Sequence, residues 1–510
     1  MTTAAASRLR AWYGPAAALA LALIFGASLW SRVDFSERIL PGGDTCVYML
    51  LARSLKDHGD LRSTWSVGER PHGQLAPGFP ALLVPFLTDS GLDVPAVRAL
   101  IVTLAAASIF LVFLLFRPAG DITALAVAFM SGVNGLIFLY GRSILSEIPY
   151  LFLSLLALLF WEGYERYQRR SLTLEVLLSV TLAAAFLMRS MGIFLIGAVF
   201  LRMALDQEAG GLRALCRRPF LFWAVSSVVA LWLVRQLVVF QISHQSYGYE
   251  FLAGDEGKGA GVLQFSMRWL RGIYAFVFYA ISQALSNIRF SGRSAGAFLL
   301  SAVCLFGLGR ELVLRRRVMD IYVAGYLFVA ASWPWVQTSG ARYVTPFVPF
   351  LLYYFWHGLG ELVALAAASF WRQAVLLSLA VGAAVVYGLH APWTSVAAPL
   401  VRTVDPQPEM YRWVRDHVPP GEAVVSFDPA ALFVYTARRS PDISVTTMGS
   451  RELDALLRTR RAEWLVDDSR IRESSTVVGP VLISDPKLLQ LEFQTGPYRV
   501  YRVRSDKGER

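Results

Sequence analysis

Stretches of about 20 mostly apolar residues recur along this chain, and no other feature constrains its fold so strongly. A helix rising 1.5 Å per residue needs about 20 such residues to cross a hydrocarbon core. Runs of this kind centre near residues 15–30, 97–116, 121–139, 147–161, 173–188, 191–205, 220–240, 295–309, 319–335, 343–358 and 373–390. Of the 510 residues, 55% are hydrophobic and 17% charged, a balance too apolar for an ordinary soluble enzyme of two or three domains. The expected architecture is a polytopic α-helical membrane protein with about 11 spans.

Sidedness follows from the short loops, because Lys and Arg are retained on the cytoplasmic side during insertion. Arg8 and Arg10 precede the first run, and with ten further runs behind it that segment reads as an uncleaved signal anchor. Alternate loops then carry Arg166, Arg169 and Arg170, next Arg213, Arg217 and Arg218, and next Arg310, Arg315, Arg316 and Arg317. Placing these inside leaves residues 31–95, residues 241–293 and everything after 391 on the extracytoplasmic side. The same loops hold most of the basic clusters behind the net charge of +11, so topology explains them and no nucleic-acid partner is expected. Arg greatly outnumbers Lys, which fits a GC-rich bacterial genome and a location in the bacterial cytoplasmic (inner) membrane. Cys46 falls outside, Cys216 in a cytoplasmic loop and Cys304 within a span, a spacing that gives neither a disulfide framework nor a zinc pattern.

The texture changes after His390. Residues 1–391 read as the membrane domain, residues 392–405, with two prolines, as a linker, and residues 406–510 as an extracytoplasmic α/β domain. In that last part, helices are expected at 408–418 and 429–436 and a short strand at 423–427. Further elements follow at 443–446, 452–458 and 463–466, with strands near Val481, Leu491 and Tyr498. Asp467 and Asp468 follow a strand, where such a pair is either a solvated turn, the commoner case, or a metal- and nucleotide-sugar-holding pair.

Candidate chemistry lies in the extracytoplasmic loops. After Pro41-Gly42-Gly43-Asp44, the residues Val47, Leu50, Leu51 and Leu55 stand at helical spacing, which makes an amphipathic helix on the membrane surface. Asp44 is expected at its N-cap, with Tyr48 one turn later on the same face. Two roles are open to that carboxylate: capping alone, or acceptance of a proton from a hydroxyl nucleophile. Pro77-Gly78-Phe79-Pro80 opens an apolar run too short to span, which is expected in the interface or dipping into it. Glu147, in Ser146-Glu147-Ile148-Pro149, sits at the membrane boundary, where an ionisable group is costly unless paired or wetted. A local role at a helix start is the alternative, and Arg142 beside it is a candidate partner. Arg189 and Arg342 oppose the insertion bias, and a guanidinium forks well onto phosphate oxygens. Snorkelling to ordinary headgroups is the plainer account of each.

Taken in order, Asp44 with Tyr48 in a long first loop, Pro77-Gly78-Phe79-Pro80, Arg98, Ser146-Glu147-Ile148-Pro149, Arg189, and Arg342-Tyr343 before Pro346 and Pro349 form an ordered set on one side of the membrane. In this the chain resembles the GT-C class of membrane glycosyltransferases, in the branch with protein O-mannosyltransferases and lipid A aminoarabinose transferases. The resemblance covers most of residues 11–391. It implies a polyprenyl-phosphate-linked sugar donor, a first-loop aspartate as general base and a trailing soluble domain. The expected catalytic residues are Asp44 and Glu147, and the expected substrate contacts are Tyr48, His72, Arg142, Arg189, Arg342 and Tyr343. If Asp44 is not the base, Glu147 or His72 is the next candidate. Many members carry Asp-Glu where this chain has Asp44-Thr45, so no metal ligand is assigned and a divalent metal is left open. The expected reaction is an inverting transfer to an extracytoplasmic hydroxyl on a glycan, lipid or protein. A lipid or solute transporter and a non-catalytic envelope assembly subunit are the competing readings, although no pseudo-symmetric repeat favours the first.

Overall fold

The computed structural model describes residues 3–33, 43–89, 91–167, 171–206, 211–242, 262–287, 294–331, 336–366, 407–441, 450–458, 462–468 and 472–504. The described residues of the membrane part are mostly helical. It begins with α1 (Thr3–Trp30), α2 (Asp44–His58), α3 (Gly78–Leu83), a short hairpin of β1 (Leu87–Thr88) and β2 (Gly91–Leu92), and α4 (Val94–Phe116). It continues through α5 (Asp121–Gly132), α6 (Gly135–Tyr140), α7 (Glu147–Arg166), α8 (Leu172–Met188), α9 (Ile193–Leu205), α10 (Gly211–Cys216) and α11 (Val225–Ile242). Next come α12 (Val262–Ala275), α13 (Ile281–Ser286), α14 (Ala295–Leu314), α15 (Val318–Ala330), α16 (Val336–Val344) and α17 (Val348–Ala366).

Among the described residues, five helical stretches are long and apolar enough to cross a membrane: Tyr13–Trp30, Val94–Ala119, Phe220–Val239, Ala295–Leu314 and Gly340–Leu365. Four more apolar helices, Asp121–Gly132, Leu172–Met188, Ser190–Leu205 and Val318–Ala330, are shorter than a full crossing. The run at 373–390 lies outside the described residues, as does the 392–405 linker. The expected count of about 11 spans is thus met in part among the described residues, and interruption is one physical reason that an apolar run falls short of a full crossing. The run at 121–139 breaks at Asn134, whose Oδ1 accepts from the Leu136 N–H at 3.0 Å and starts α6. In lipid such a break needs internal partners. Asn134 Nδ2 donates to the Ala284 carbonyl at 2.8 Å, and Asn287 takes the Gly135 N–H at 2.8 Å and donates to the Val133 carbonyl at 3.0 Å. Residues 241–293, placed above on the extracytoplasmic side with no apolar run assigned, contain α12, a π-helical turn at Phe276–Ala280 and α13, packed among the other helices. Arg268 and Arg271 interrupt this stretch and hid it from an apolar-run reading.

The end of the bundle remote from Asp44 is tied by buried ions. Arg317 donates to Glu311 at 2.5 Å and to Tyr353 at 3.1 Å, while Tyr354 donates to Asp320 at 2.7 Å. This locks the α14–α15 turn to α17. Of the arginines in this basic loop, Arg310 also pairs with Glu361 at 3.0 Å and Arg315 with Glu311 at 3.6 Å.

The C-terminal part is α/β. Its elements are α18 (Gln407–His417), β3 (Val424–Ser426), α19 (Pro429–Thr436), α20 (Ser450–Arg458), β4 (Trp464–Asp468), α21 (Arg472–Ser484), β5 (Leu489–Thr495) and β6 (Tyr498–Val503). The sheet order is β3-β4-β6-β5, with β3 and β4 parallel and the remaining pairs antiparallel. Trp464 to Asp467 are buried in succession, as befits a strand covered on both faces. Val481 was expected on a strand and instead lies in α21. Its β-branched neighbourhood suits a sheet, but Val477, Val478 and Val481 stand at helical spacing and bury one face against Val425, Leu465 and Tyr501. The stretch 443–446 lies outside the described residues.

This domain is docked on the first long loop. The Ser440 N–H donates to the Trp65 carbonyl at 3.0 Å, the Val67 N–H donates to the Ser440 carbonyl at 3.1 Å, and Arg439 pairs with Glu69.

Candidate active site

The site begins at the first turn of α2. Gly43, at φ +71° and ψ −141°, is the N-cap residue, a conformation that favours glycine. Asp44 is the first helical residue and makes no side-chain capping bond. Its expected position at the N-cap is thus corrected: glycine takes the non-helical turn, and the carboxylate is left for a long-range partner. That partner is Arg342, whose Nη1 donates to Asp44 Oδ2.

Arg342 occupies the last turn of α16, before Pro346 and α17. Its Nε donates to Glu147 Oε1, and the same oxygen accepts from Arg189 Nη1 at 2.6 Å. Glu147 opens α7 and is wholly buried. Arg189 follows the last residue of α8, with extended backbone at φ −147° and ψ 128° that turns its side chain out of the helix register. Gly78 makes room for this junction: a Cβ there would meet the Leu187 carbonyl at 2.7 Å, so only glycine lets α3 lie against the end of α8. From α3, Phe79 packs edge-on against Tyr48, with ring centroids 4.7 Å apart. The Tyr48 hydroxyl shares a 3.0 Å hydrogen bond with Ser146 Oγ, which also accepts from Arg189 at 3.2 Å. Burial pushes the Tyr48 hydroxyl up to about 12, so it stays un-ionised and polar.

Two carboxylates and two guanidiniums therefore alternate as Asp44–Arg342–Glu147–Arg189. Side-chain exposure falls along the row from 40% at Asp44 to 24% at Arg342 and 0% at Glu147. Asp44 is the end that a substrate can reach. Glu147 is a buried counterion that orients both arginines.

The remaining sequence candidates fall elsewhere. His72 is buried in the packing of the first loop, with Nδ1 3.2 Å from Ser63 Oγ and its ring edge-on to Trp65. Arg235 donates to its carbonyl at 3.0 Å. Arg142 lies over the Phe138 ring, 5.1 Å from its centroid. Glu147 takes Arg189 and Arg342 in place of Arg142, because those two reach its oxygen from α8 and α16. Tyr343 offers its backbone carbonyl to the Tyr326 hydroxyl at 2.9 Å. Ser146, read above as a helix start, is also a polar link between Tyr48 and Arg189. Asp428, a long-range partner of Gly43, was not singled out; its Asp-Pro pair signals a helix cap but says nothing of the distant contact. Asp467 is buried on β4, where desolvation raises its carboxyl to about 6 with Arg499 only 4.0 Å away.

Among the described residues no three His, Cys, Asp or Glu side chains are gathered as metal ligands. The donor set around Asp44, rich in guanidinium, suits anions and does not fit a cation. A cavity of about 890 Å³ lies between the first loop and α19, lined in part by Arg53, Asp57, Glu69, Phe433, Tyr435 and Arg439. Arg53 is nine residues beyond Asp44, half a turn off its face of α2, so this space is on the reverse side of the helix.

No family model and no curated protein sequence matches the chain. Solved structures do. ArnT from Cupriavidus metallidurans, bound to undecaprenyl phosphate, is 15% identical with a TM-score of 0.54, over 95% of this chain and 97% of that one. The Archaeoglobus fulgidus oligosaccharyltransferase tethered with an acceptor peptide is 14% identical with a TM-score of 0.57, over 97% of this chain and 74% of that one. The same archaeon's AglB, in complex with an inhibitory peptide and a dolichol-phosphate, is 12% identical with a TM-score of 0.57, over 96% and 74%. The chain has the fold of the GT-C membrane glycosyltransferases.

Proposed function

We propose that this chain is an inverting glycosyltransferase that moves a sugar from a polyprenyl-phosphate donor to a hydroxyl on an extracytoplasmic glycan, lipid or protein. The observation that carries this reading is Arg342, which bridges an accessible Asp44 and a buried Glu147. Asp44 accepts the proton of the acceptor hydroxyl as its oxygen attacks the anomeric carbon. The bond from that carbon to the phosphate oxygen breaks, and its electron pair leaves with the polyprenyl phosphate. One displacement inverts the centre.

The arginines stabilise the charge that develops on the leaving phosphate. Arg342 is paired with Asp44 before substrate arrives, and a carboxylate oxygen committed to a guanidinium is not free to take a proton. The donor phosphate competes for Arg342 and releases Asp44 as it binds, so the base is freed when the electrophile is in place. Glu147 keeps Arg342 and Arg189 aimed throughout. ArnT was crystallised with undecaprenyl phosphate and AglB with a dolichol-phosphate, which supports a lipid-phosphate donor here. The extracytoplasmic placement of the site expected from the arginines of the short loops supports it as well, because nucleotide sugars stay in the cytoplasm.

Binding of undecaprenyl phosphate to the purified protein, compared between wild type and Arg342→Ala, tests the donor half of this proposal. Loss of binding in the folded variant is expected. Equal binding would remove Arg342 from the phosphate site.

A further inference from the structure

We propose that Asp428, in the C-terminal α/β domain, is a positioning residue for transfer: it holds Gly43, and through it Asp44, so that the domain forms part of the reaction centre. The inference rests on Asp44 being the base. Asp428 stands at the junction of two helices. Its Oδ1 accepts from the Ala431 N–H at 3.0 Å and caps α19, while its Oδ2 accepts from the Gly43 N–H at 2.6 Å, one residue before Asp44. One carboxylate thus takes an N–H from the N-cap residue of α2 and one from the first turn of α19, and both its oxygens are committed. Burial pushes the Asp428 carboxyl up, and the two backbone N–H groups pull it back.

The place of Asp428 in its domain strengthens the inference. Strand β3 ends just before it, and the parallel neighbour β4 ends at Asp468. Functional groups of open α/β sheets gather outside the carboxyl ends of parallel strands. Here Asp428, two residues past the carboxyl end of β3, reaches the Gly43 N–H beside Asp44 at 2.6 Å. The wider dock, made by Ser440 with Trp65 and Val67 and by Arg439 with Glu69, holds the domain on the loop. Asp428 is the contact within that dock that reaches the backbone beside the base.

A plain docking role and a positioning role separate by substitution. Asn caps a helix about as well as Asp, but its amide has one acceptor oxygen. In Asp428→Asn that oxygen keeps the Ala431 bond, and the amide nitrogen turns a donor toward the Gly43 donor. The α19 cap survives and the Gly43 contact is lost. Misplacing a reacting group by about 1 Å costs on the order of 100-fold in rate, so kcat should fall by about 10- to 100-fold with donor KM little changed. Hydrogen exchange should quicken in the first turn of α2 and stay unchanged in α19. Asp428→Ser, which also offers one capping oxygen, should behave alike. Arg439→Ala, which loosens the dock without touching Gly43, should keep its kcat.

Wild-type kcat in both Asp428 variants would overturn the proposal. So would an equal loss in Arg439→Ala, because docking in general would then explain the effect. If Asp44→Asn itself retains transfer, the base assignment fails instead, and the exchange rates of α2 still report whether Asp428 orders that turn.

Discussion

Replacing Glu147 with Gln removes one charge from the most enclosed point of the row and keeps nearly the same shape. Its Oε1 accepts from Arg189 at 2.6 Å and from Arg342, and the side chain has no exposure. Both guanidiniums lose their shared anion at once. Breaking a buried ion pair by removing one partner costs about 3–5 kcal/mol, because the other charge is left uncompensated. Asp44 contrasts with it: at 40% exposure, its pair with Arg342 is screened and contributes about 0–1 kcal/mol. Glu147→Gln should therefore lower the thermal midpoint of the detergent-solubilised protein well below wild type, while Asp44→Asn should shift it little. Undecaprenyl phosphate should raise the midpoint of Glu147→Gln more than that of wild type, since its phosphate offers the unpaired arginines an anion. Equal midpoints for the two variants, or a Glu147→Gln protein as stable as wild type, would refute the assignment of Glu147 as the buried counterion.

Arg342→Lys should recover part of the donor binding lost in Arg342→Ala, because the charge remains but the fork onto two carboxylates does not; full recovery would argue against a bidentate role. Asp467 has a folded-state pKa near 6 against an ordinary 3.8, so the fold favours its protonated form. Its contribution is fully present below about pH 4 and is lost as pH rises through about 6. Asp467→Asn should accordingly slow hydrogen exchange in β4 at pH 7 and flatten its pH dependence, and a variant indistinguishable from wild type at pH 7 would contradict this. A topology reporter fused after residue 400 should be active outside the cytoplasm, and cytoplasmic activity would remove the case for a lipid-linked donor.

Much of the fold was legible because its causes are local. Apolar runs mark the membrane helices, and Pro429 to Thr436 reads as a helix from its Asp-Pro start. The four ions of the site were legible for a different reason. Glu147 sits where a charge is expensive and Arg189 and Arg342 stand against the insertion bias, so each needs a partner somewhere, and Asp44 drew notice at the start of a loop helix. The identity of the partner was not legible. Arg342 and Asp44 are 298 residues apart, and Glu147 reaches past nearby Arg142 to Arg189 and Arg342. Tertiary packing decides that choice, and no period in the sequence encodes it. The error at Asp44 was of the opposite kind: a local rule favoured Asp as N-cap, while the positive φ of Gly43 moved the helix start by one residue. Asp428 combines both cases, as a local cap whose second oxygen serves a residue 385 positions away.

The central claim is that Asp44 takes the acceptor's proton, and its most direct test is transfer by purified Asp44→Asn with lipid-linked donor and acceptor supplied. Because Asp44 makes no capping bond and its ion pair is partly exposed, the variant should fold with a midpoint close to wild type. A positioned general base contributes about 10²- to 10⁴-fold in rate, so transfer should fall by that factor while donor binding persists. Transfer at the wild-type rate in the folded variant would contradict the account.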